Sequence, residues 1–135
     1  MNKPVIVWIV DDDPAFQLIT KTNISRTGIP VNYHIFSNGK DALDAITSVV
    51  NEGHLTELPS FILLDINMPI YDGWYFVNGY SEFSDNVKNK IQLFVCSSSI
   101  DPADISRSEC NDDVTGFIEK PIPTSMLTTI LSSKL

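Results

Sequence analysis

The sequence predicts an α/β fold, a five-stranded parallel sheet of strand order 2-1-3-4-5 that is doubly wound, with helices on both faces. Three observations predict it. Short apolar runs, VIVWIV at 5–10, FILL at 61–64 and IQLFVC at 91–96, each stop abruptly at a carboxylate or a hydroxyl, the mark of buried parallel strands. Segments of helical periodicity separate them, so β-α repeats five times, and strands alternating with helices form a parallel sheet covered on both sides. The length, 135 residues, suits one domain with a single sizeable core.

Val5 to Val10 is continuously apolar and largely β-branched, and reads as the first buried strand. It ends at Asp11-Asp12-Asp13. Asp13-Pro14 then opens a helix, with Asp13 as N-cap and Pro14 at the first helical position. This helix runs to about Arg26 and stops near Gly28. Val31 to Phe36 alternates apolar and polar, which predicts a second strand less buried than the first, broken by Asn38-Gly39. Ala42, Leu43, Ala45, Ile46, Val49 and Val50 then repeat at helical spacing, predicting a second helix over 40–51 that ends at Gly53. A loop to Ser60 leads into the third strand, Phe61 to Leu64, which ends at Asp65.

Met68-Pro69 stops any regular element, and Asp72-Gly73 signals a turn and a helix start. Trp74, Phe76, Val77, Tyr80 and Phe83 line one face of a predicted third helix, weakened by Gly79. Ile91 to Cys96 is the fourth strand, ended by Ser97-Ser98-Ser99. Asp101-Pro102 opens a fourth, poorly amphipathic helix to about Cys110. Thr115 to Glu119 is a short fifth strand ending at Lys120-Pro121. A last helix over 124–132 carries Met126, Leu127, Ile130 and Leu131. With the chain stopping one helix past the fifth strand, residues 1–135 are expected to form one domain without an attached output domain.

Composition narrows the function. Hydrophobic residues make up 43%, which predicts a globular chain. Seventeen Asp and Glu stand against nine Lys and Arg, for a net charge of -8. DNA or RNA binding is disfavoured, because phosphate contacts need a basic footprint. The two cysteines lack metal-ligand spacing and make no disulfide framework; Cys96, inside an apolar run, reads as a small hydrophobe. The apolar run at 5–10 is too short for a signal-peptide core, and nothing approaches a membrane span, so a cytoplasmic location is expected.

The chemistry gathers at the strand ends. A parallel sheet brings the C-terminal ends of its strands to one edge, and the first and third strands are neighbours at the switch point of this strand order. That edge collects Asp11 and Asp12 from strand 1, Asp65 from strand 3, Ser97 from strand 4 and Lys120 from strand 5. Carboxylates so close repel and call for a proton or a cation. A hard divalent ion with oxygen ligands, Mg²⁺ above all, is the natural solution. Asp65 is then a candidate nucleophile for a phosphoryl group, with the lysine and the hydroxyl to hold its oxygens.

With these residues in place, the chain resembles a response-regulator receiver domain, the phosphoacceptor partner of sensor histidine kinases. The resemblance rests on VDDDP at the first strand end, LLDINMPIYDG around Asp65, the strand-ending Ser97, and FIEKP at 117–121, and it covers essentially the whole chain. It implies a flavodoxin-like, chemotaxis-regulator-like signalling module, not a conventional enzyme, that assists its own phosphorylation and dephosphorylation. Asp65 would take the phosphoryl group from the phosphohistidine of a kinase or a histidine phosphotransfer protein. The metal, Mg²⁺ or Mn²⁺, would be held by Asp12 and Asp65, by the backbone carbonyl of Asn67, and by Asp11 through water. Ser97 and Phe117 would form the switch, and Lys120 would pair with the phosphate, with Pro121 following where the family often has a cis bond.

The output implied is a surface of the fourth helix, fifth strand and last helix that a downstream protein target reads, with the domain either a monomer or a phosphorylation-dependent dimer. There are departures. Ser97 stands for the commoner threonine, and three consecutive serines leave the register open between Ser97 and Ser98. Phe117 lacks a tyrosine hydroxyl, and an aromatic in a short edge strand also reads as core. Asn67 and Ser99 flank the site and are expected to influence how fast the phosphoaspartate hydrolyses.

The plainer readings sort the rest. Asp13 is a helix-start acid, Asp72-Gly73 a turn, Trp8 and Trp74 packing residues, and His34 and His54 incidental. A phosphatase with an aspartyl-phosphate intermediate would need an acid two residues past the nucleophile, where Asn67 stands, and a cap for which there is no sequence. A flavodoxin-like cofactor binder would need a Ser/Thr/Gly-rich phosphate loop where this chain has three acids.

Overall fold

A computed structural model describes residues 4–134. In chain order the elements are β1 (Val5–Val10), α1 (Pro14–Ser25), β2 (Val31–Phe36), α2 (Gly39–Asn51), β3 (Phe61–Asp65), α3 (Gly73–Tyr80), α4 (Asp85–Lys88), β4 (Gln92–Ser97), α5 (Pro102–Glu109), β5 (Gly116–Glu119) and α6 (Thr124–Ser132), with a 3-10 turn at Leu55–Glu57. The five strands are all parallel and ordered β2-β1-β3-β4-β5, as the sequence predicts.

Two cores explain why the central strands are apolar without interruption. On one face, Trp8, Val10, Ile62, Leu64, Leu93 and Val95 pack under α2 and α3 with Ala42, Ile46, Phe76 and Tyr80. On the other, Val7, Ile9, Phe61, Leu63 and Cys96 pack under α1 and α6 with Ile24, Leu127 and Leu131. Alternate residues of each strand therefore serve opposite cores. Each fully buried Leu or Ile contributes about 1.5–3 kcal/mol, so the interiors of the central strands are apolar on both faces, and the buried polar residues Asp65 and Ser97 stand at strand ends. The second strand is indeed less buried than the first.

Four of the six helix starts, those of α1, α2, α3 and α5, are set by side-chain caps. Asp13, Asn38, Asp72 and Asp101 accept hydrogen bonds from the backbone N–H groups of Ala15, Asp41, Tyr75 and Ala103. Gly73 is required by close approach: a Cβ there would lie 2.7 Å from the carbonyl oxygen of Asp65 and from Ile66 Cα.

Some boundaries differ from the sequence reading. α3 ends at Tyr80 rather than reaching Phe83, because the chain tightens into turns in which Glu82 N–H donates to Gly79 O and Phe83 N–H to Tyr80 O. Phe83 still packs against the core. The 3-10 turn at Leu55–Glu57 lies in a segment read as loop, and the short helix α4 in one for which the sequence predicts no element. β3 includes Asp65, and β4 is displaced by one residue to include Ser97.

Candidate functional site

Strand register places the site. Val10 pairs with Leu64 across β1 and β3, so Asp11 and Asp65, one residue further, lie side by side at the C-terminal edge. Asp65 pairs in turn with Cys96 of β4, and Cys96 with Ile118 of β5. Asp11, Asp65 and Lys120 are thus all in phase with the α1/α6 core face. Ser97 and Phe117 are in phase with the opposite face, under α3. The chemistry and the expected switch residues are separated by strand parity alone.

The carboxylates of Asp11, Asp12 and Asp65 each offer an oxygen within 4.8 Å of the others. Asp11 and Asp65 are buried and Asp12 is exposed, so the cluster has one open side. Lys120 closes it from β5: its Nζ donates to Asp11 Oδ2 at 2.7 Å and lies 3.4 Å from Asp65 Oδ2, with all three side chains buried. Lys120 also sits 4.3 Å from the centre of the Phe16 ring on α1. Asp65 Oδ1 accepts from the Asn67 backbone N–H at 2.9 Å, and Asp11 Oδ1 from that of Asp13 at 2.9 Å. The Gln17 amide donates to the Asp11 carbonyl at 2.7 Å, tying α1 to the strand end.

Burial is the largest influence on Asp65 and pushes its carboxyl above the usual range; the Asn67 N–H and the Lys120 charge oppose this and the Asp11 charge adds to it. For Lys120, burial pulls the ammonium down, but its hydrogen bond to Asp11 and the charges of Asp65 and Asp11 outweigh it and leave the group raised. A lysine that stays charged thus faces a carboxyl that gives up its proton reluctantly. Three hard oxygen donors beside one ammonium are an arrangement a divalent cation fits.

Ser97 is fully buried and Ser98 exposed, which places the first of the three hydroxyls inward. Ser97 Oγ accepts from Asn67 Nδ2 at 3.0 Å and from the Ser99 N–H at 3.2 Å, leaving its own O–H free to donate. The Lys120 backbone N–H donates to the Ser97 carbonyl at 2.8 Å, and the Lys120–Pro121 peptide is cis. Phe117 is half-buried, opposite Val95, against the α2/α3 core.

Sequence reasoning missed the Asn67 amide on Ser97, the Gln17 amide and the Phe16 ring. Phe16 and Gln17 carry no local signal, since their roles come from how α1 lies across the strand end. His34 and His54 lie elsewhere: His34 meets Trp8 edge-on at 6.5 Å, and exposed His54 sits 3.4 and 3.3 Å from Glu52 and Glu57.

The family model of the response regulator receiver domain matches residues 7–132. The chain belongs to the response regulator receiver domain family. It is 28% identical over 119 residues to the probable methanogenesis regulatory protein FilR2 of Methanothrix harundinacea, covering 88% of this chain and 74% of that protein. Among solved structures, the two component response regulator from Cytophaga hutchinsonii superposes with a TM-score of 0.84 at 28% identity, over 98% of this chain and 97% of that one. The response regulator receiver protein from Dyadobacter fermentans gives 0.76 at 25%, over 96% of each. The protein is therefore a receiver domain of two-component signalling, a class of signalling module and not of conventional enzyme. Among the described residues, no helix is long and apolar enough to cross a membrane.

Proposed function

We propose that this receiver accepts a phosphoryl group on Asp65 from the phosphohistidine of a sensor histidine kinase or a histidine phosphotransfer protein. The observation that carries the reading is the buried lysine held between two buried carboxylates, 2.7 Å from Asp11 and 3.4 Å from Asp65, beside the exposed third acid. An Asp65 oxygen attacks phosphorus, the P–O bond forms as the P–N bond breaks, and the imidazole leaves with the electron pair and regains a proton. Lys120 offsets the charge that arrives with the phosphoryl oxygens. Ser97, released from Asn67, donates its O–H to one of them.

Asp11, Asp12 and Asp65, with the backbone carbonyl of Asn67, are the groups that would hold Mg²⁺ or Mn²⁺. Such an ion, when bound, offsets the carboxylate repulsion and polarises the phosphoryl oxygens. Movement of Ser97 toward the phosphoryl group frees space on the α3 side of β4, where Phe117 lies one strand away. The surface of α5, β5 and α6 would then shift between two populations, which a downstream protein distinguishes by binding one better. Trp74 gives α5 a defined resting position: its indole N–H is 3.4 Å from Asp104 Oδ1, and the Arg107 guanidinium stacks 4.2 Å from its ring.

Beryllofluoride with Mg²⁺, a stable mimic of a phosphoryl group on a carboxylate, tests the reading by amide NMR. Shifts centred on Asn67, Ser97, Phe117 and Lys120, absent in Asp65→Asn, are expected. An unchanged spectrum of the wild-type protein, or equal shifts in Asp65→Asn, sinks it.

A further inference from the structure

The site and the switching surface leave one edge of the sheet unused. In the order β2-β1-β3-β4-β5, β5 lies at one edge and β2 at the other. Among the described residues, β2 is hydrogen-bonded on one side only. Val5 N–H donates to Pro30 O, Asp11 N–H donates to Phe36 O, and the register runs from Val5–Val31 to Val10–Phe36. This alternation turns the main-chain groups of Asn32, His34 and Phe36 toward β1. Those of Val31, Tyr33 and Ile35 point out of the sheet with no main-chain partner among the described residues.

Open edges are normally guarded by a charge, a proline or a bulge within the strand. VNYHIF has none. No charged residue occurs from Thr27 to Gly39, in a chain that is 19% charged. The edge is also flanked by a hollow on each face of the sheet. One of about 440 Å³ is lined by Tyr33 with Leu18, Lys21 and Arg26, and one of about 360 Å³ by Asn32 and His34 with Trp8 and Val49. An added strand would have both its main-chain groups and its alternate side chains received.

The order of residues points to the occupant. Around Tyr33 the strand reads alike in both directions: a β-branched apolar residue, a neutral polar residue, tyrosine, a neutral polar residue, a β-branched apolar residue. We propose that β2 is a self-association edge that pairs antiparallel with β2 of a second copy about a two-fold axis at Tyr33. Val31 then faces Ile35 of the partner subunit, Asn32 faces His34 of the partner subunit, and Tyr33 faces Tyr33 of the partner subunit. The three residues whose main-chain groups point outward are the ones that exchange hydrogen bonds, and no like charges oppose each other within the strand pair. The interface is isologous and closes at two copies. It is one strand pair wide, so the association is weak. It lies at the sheet edge opposite β5, so it leaves the α5–β5–α6 surface free and does not depend on the state of Asp65.

Sedimentation equilibrium of the whole chain from roughly 10 μM to 1 mM, the range of weak association, tests this. The expected mass rises from 15.0 kDa toward twice that value, with the same curve when beryllofluoride is bound. Tyr33→Lys, which sets like charges on the axis, and Tyr33→Pro, which removes an outward N–H, are expected to stay at 15.0 kDa throughout. Amide exchange of the wild-type chain gives a readout free of folding effects. Val31, Tyr33 and Ile35 are expected to slow several-fold with concentration while Asn32 and His34 do not. A mass of 15.0 kDa across the range overturns the proposal and leaves the edge to a strand from another protein. So do association that survives in both folded variants, association that appears only with beryllofluoride, and exchange at the outward amides that is indifferent to concentration.

Discussion

Asp65 carries its proton more tightly in the folded chain than in the unfolded one, chiefly because it is buried. A carboxyl with a raised folded pKa favours folding when protonated, and that contribution is lost as pH rises from the unfolded value of 3.8 through the folded one. In the absence of a divalent ion, Asp65→Asn should therefore melt above the wild-type protein at pH 7, with the gap closing as pH falls toward 3.8. Melting curves across that range in a chelator check it, and a variant that melts below wild type at pH 7 contradicts it. Ile70 raises a different point. It is 90% exposed and lies at φ 65, in the left-handed region where a β-branched residue is strained. Ile70→Gly loses no buried contact and should gain about 1 kcal/mol in urea unfolding. Asp11 and Asp65 were legible because each follows an apolar run directly, and Asp12 and Lys120 because they stand one residue further on. The Asn67–Ser97 bond was not, because it joins the loop after β3 to the end of β4, whose approach only the folded sheet defines.

At the scale of elements, the helix starts were the most legible part of the chain. Asp13-Pro14, Asp72-Gly73 and Asp101-Pro102 each announce a helix start, and all three caps are made; Asn38-Gly39, read only as the break after the second strand, supplies a fourth. The acid of the Asp72-Gly73 pair is a test of the site's limits. Asp72 Oδ1 accepts from the Tyr75 N–H at 2.9 Å and has no part in the carboxylate cluster. Asp72→Ala should cost about 1 kcal/mol of stability and leave phosphoryl acceptance intact, a pairing that urea unfolding and a phosphorylation assay measure together. Loss of acceptance in the folded variant would return Asp72 to the site. The α4 helix escaped prediction because its four residues, DNVK, bury only Val87 and are too short for a helical period to register.

For the whole molecule, the parallel sheet was legible from the alternation of elements, and strand-end position from the apolar runs. The division of the site between the two sheet faces was not. A strand buried on both sides has no polar face, so VIVWIV and FILL carry no sign of which core each residue meets. Only the observed register places Asp11, Asp65 and Lys120 on the α1/α6 side and Ser97 and Phe117 on the other. The proposed phosphoacceptor and its lysine thus lie on one side of the strand ends, and the proposed switch residues on the other. The central claim is that Asp65 is where the phosphoryl group lands. Intact mass of the wild-type chain and of Asp65→Asn, taken within minutes of mixing with a small acyl phosphate and Mg²⁺, tests it most directly. An increase of one HPO₃ is expected in the wild-type chain, absent in Asp65→Asn and abolished by chelation; no increase in the wild-type chain, or an undiminished one in the variant, would overturn the assignment of Asp65.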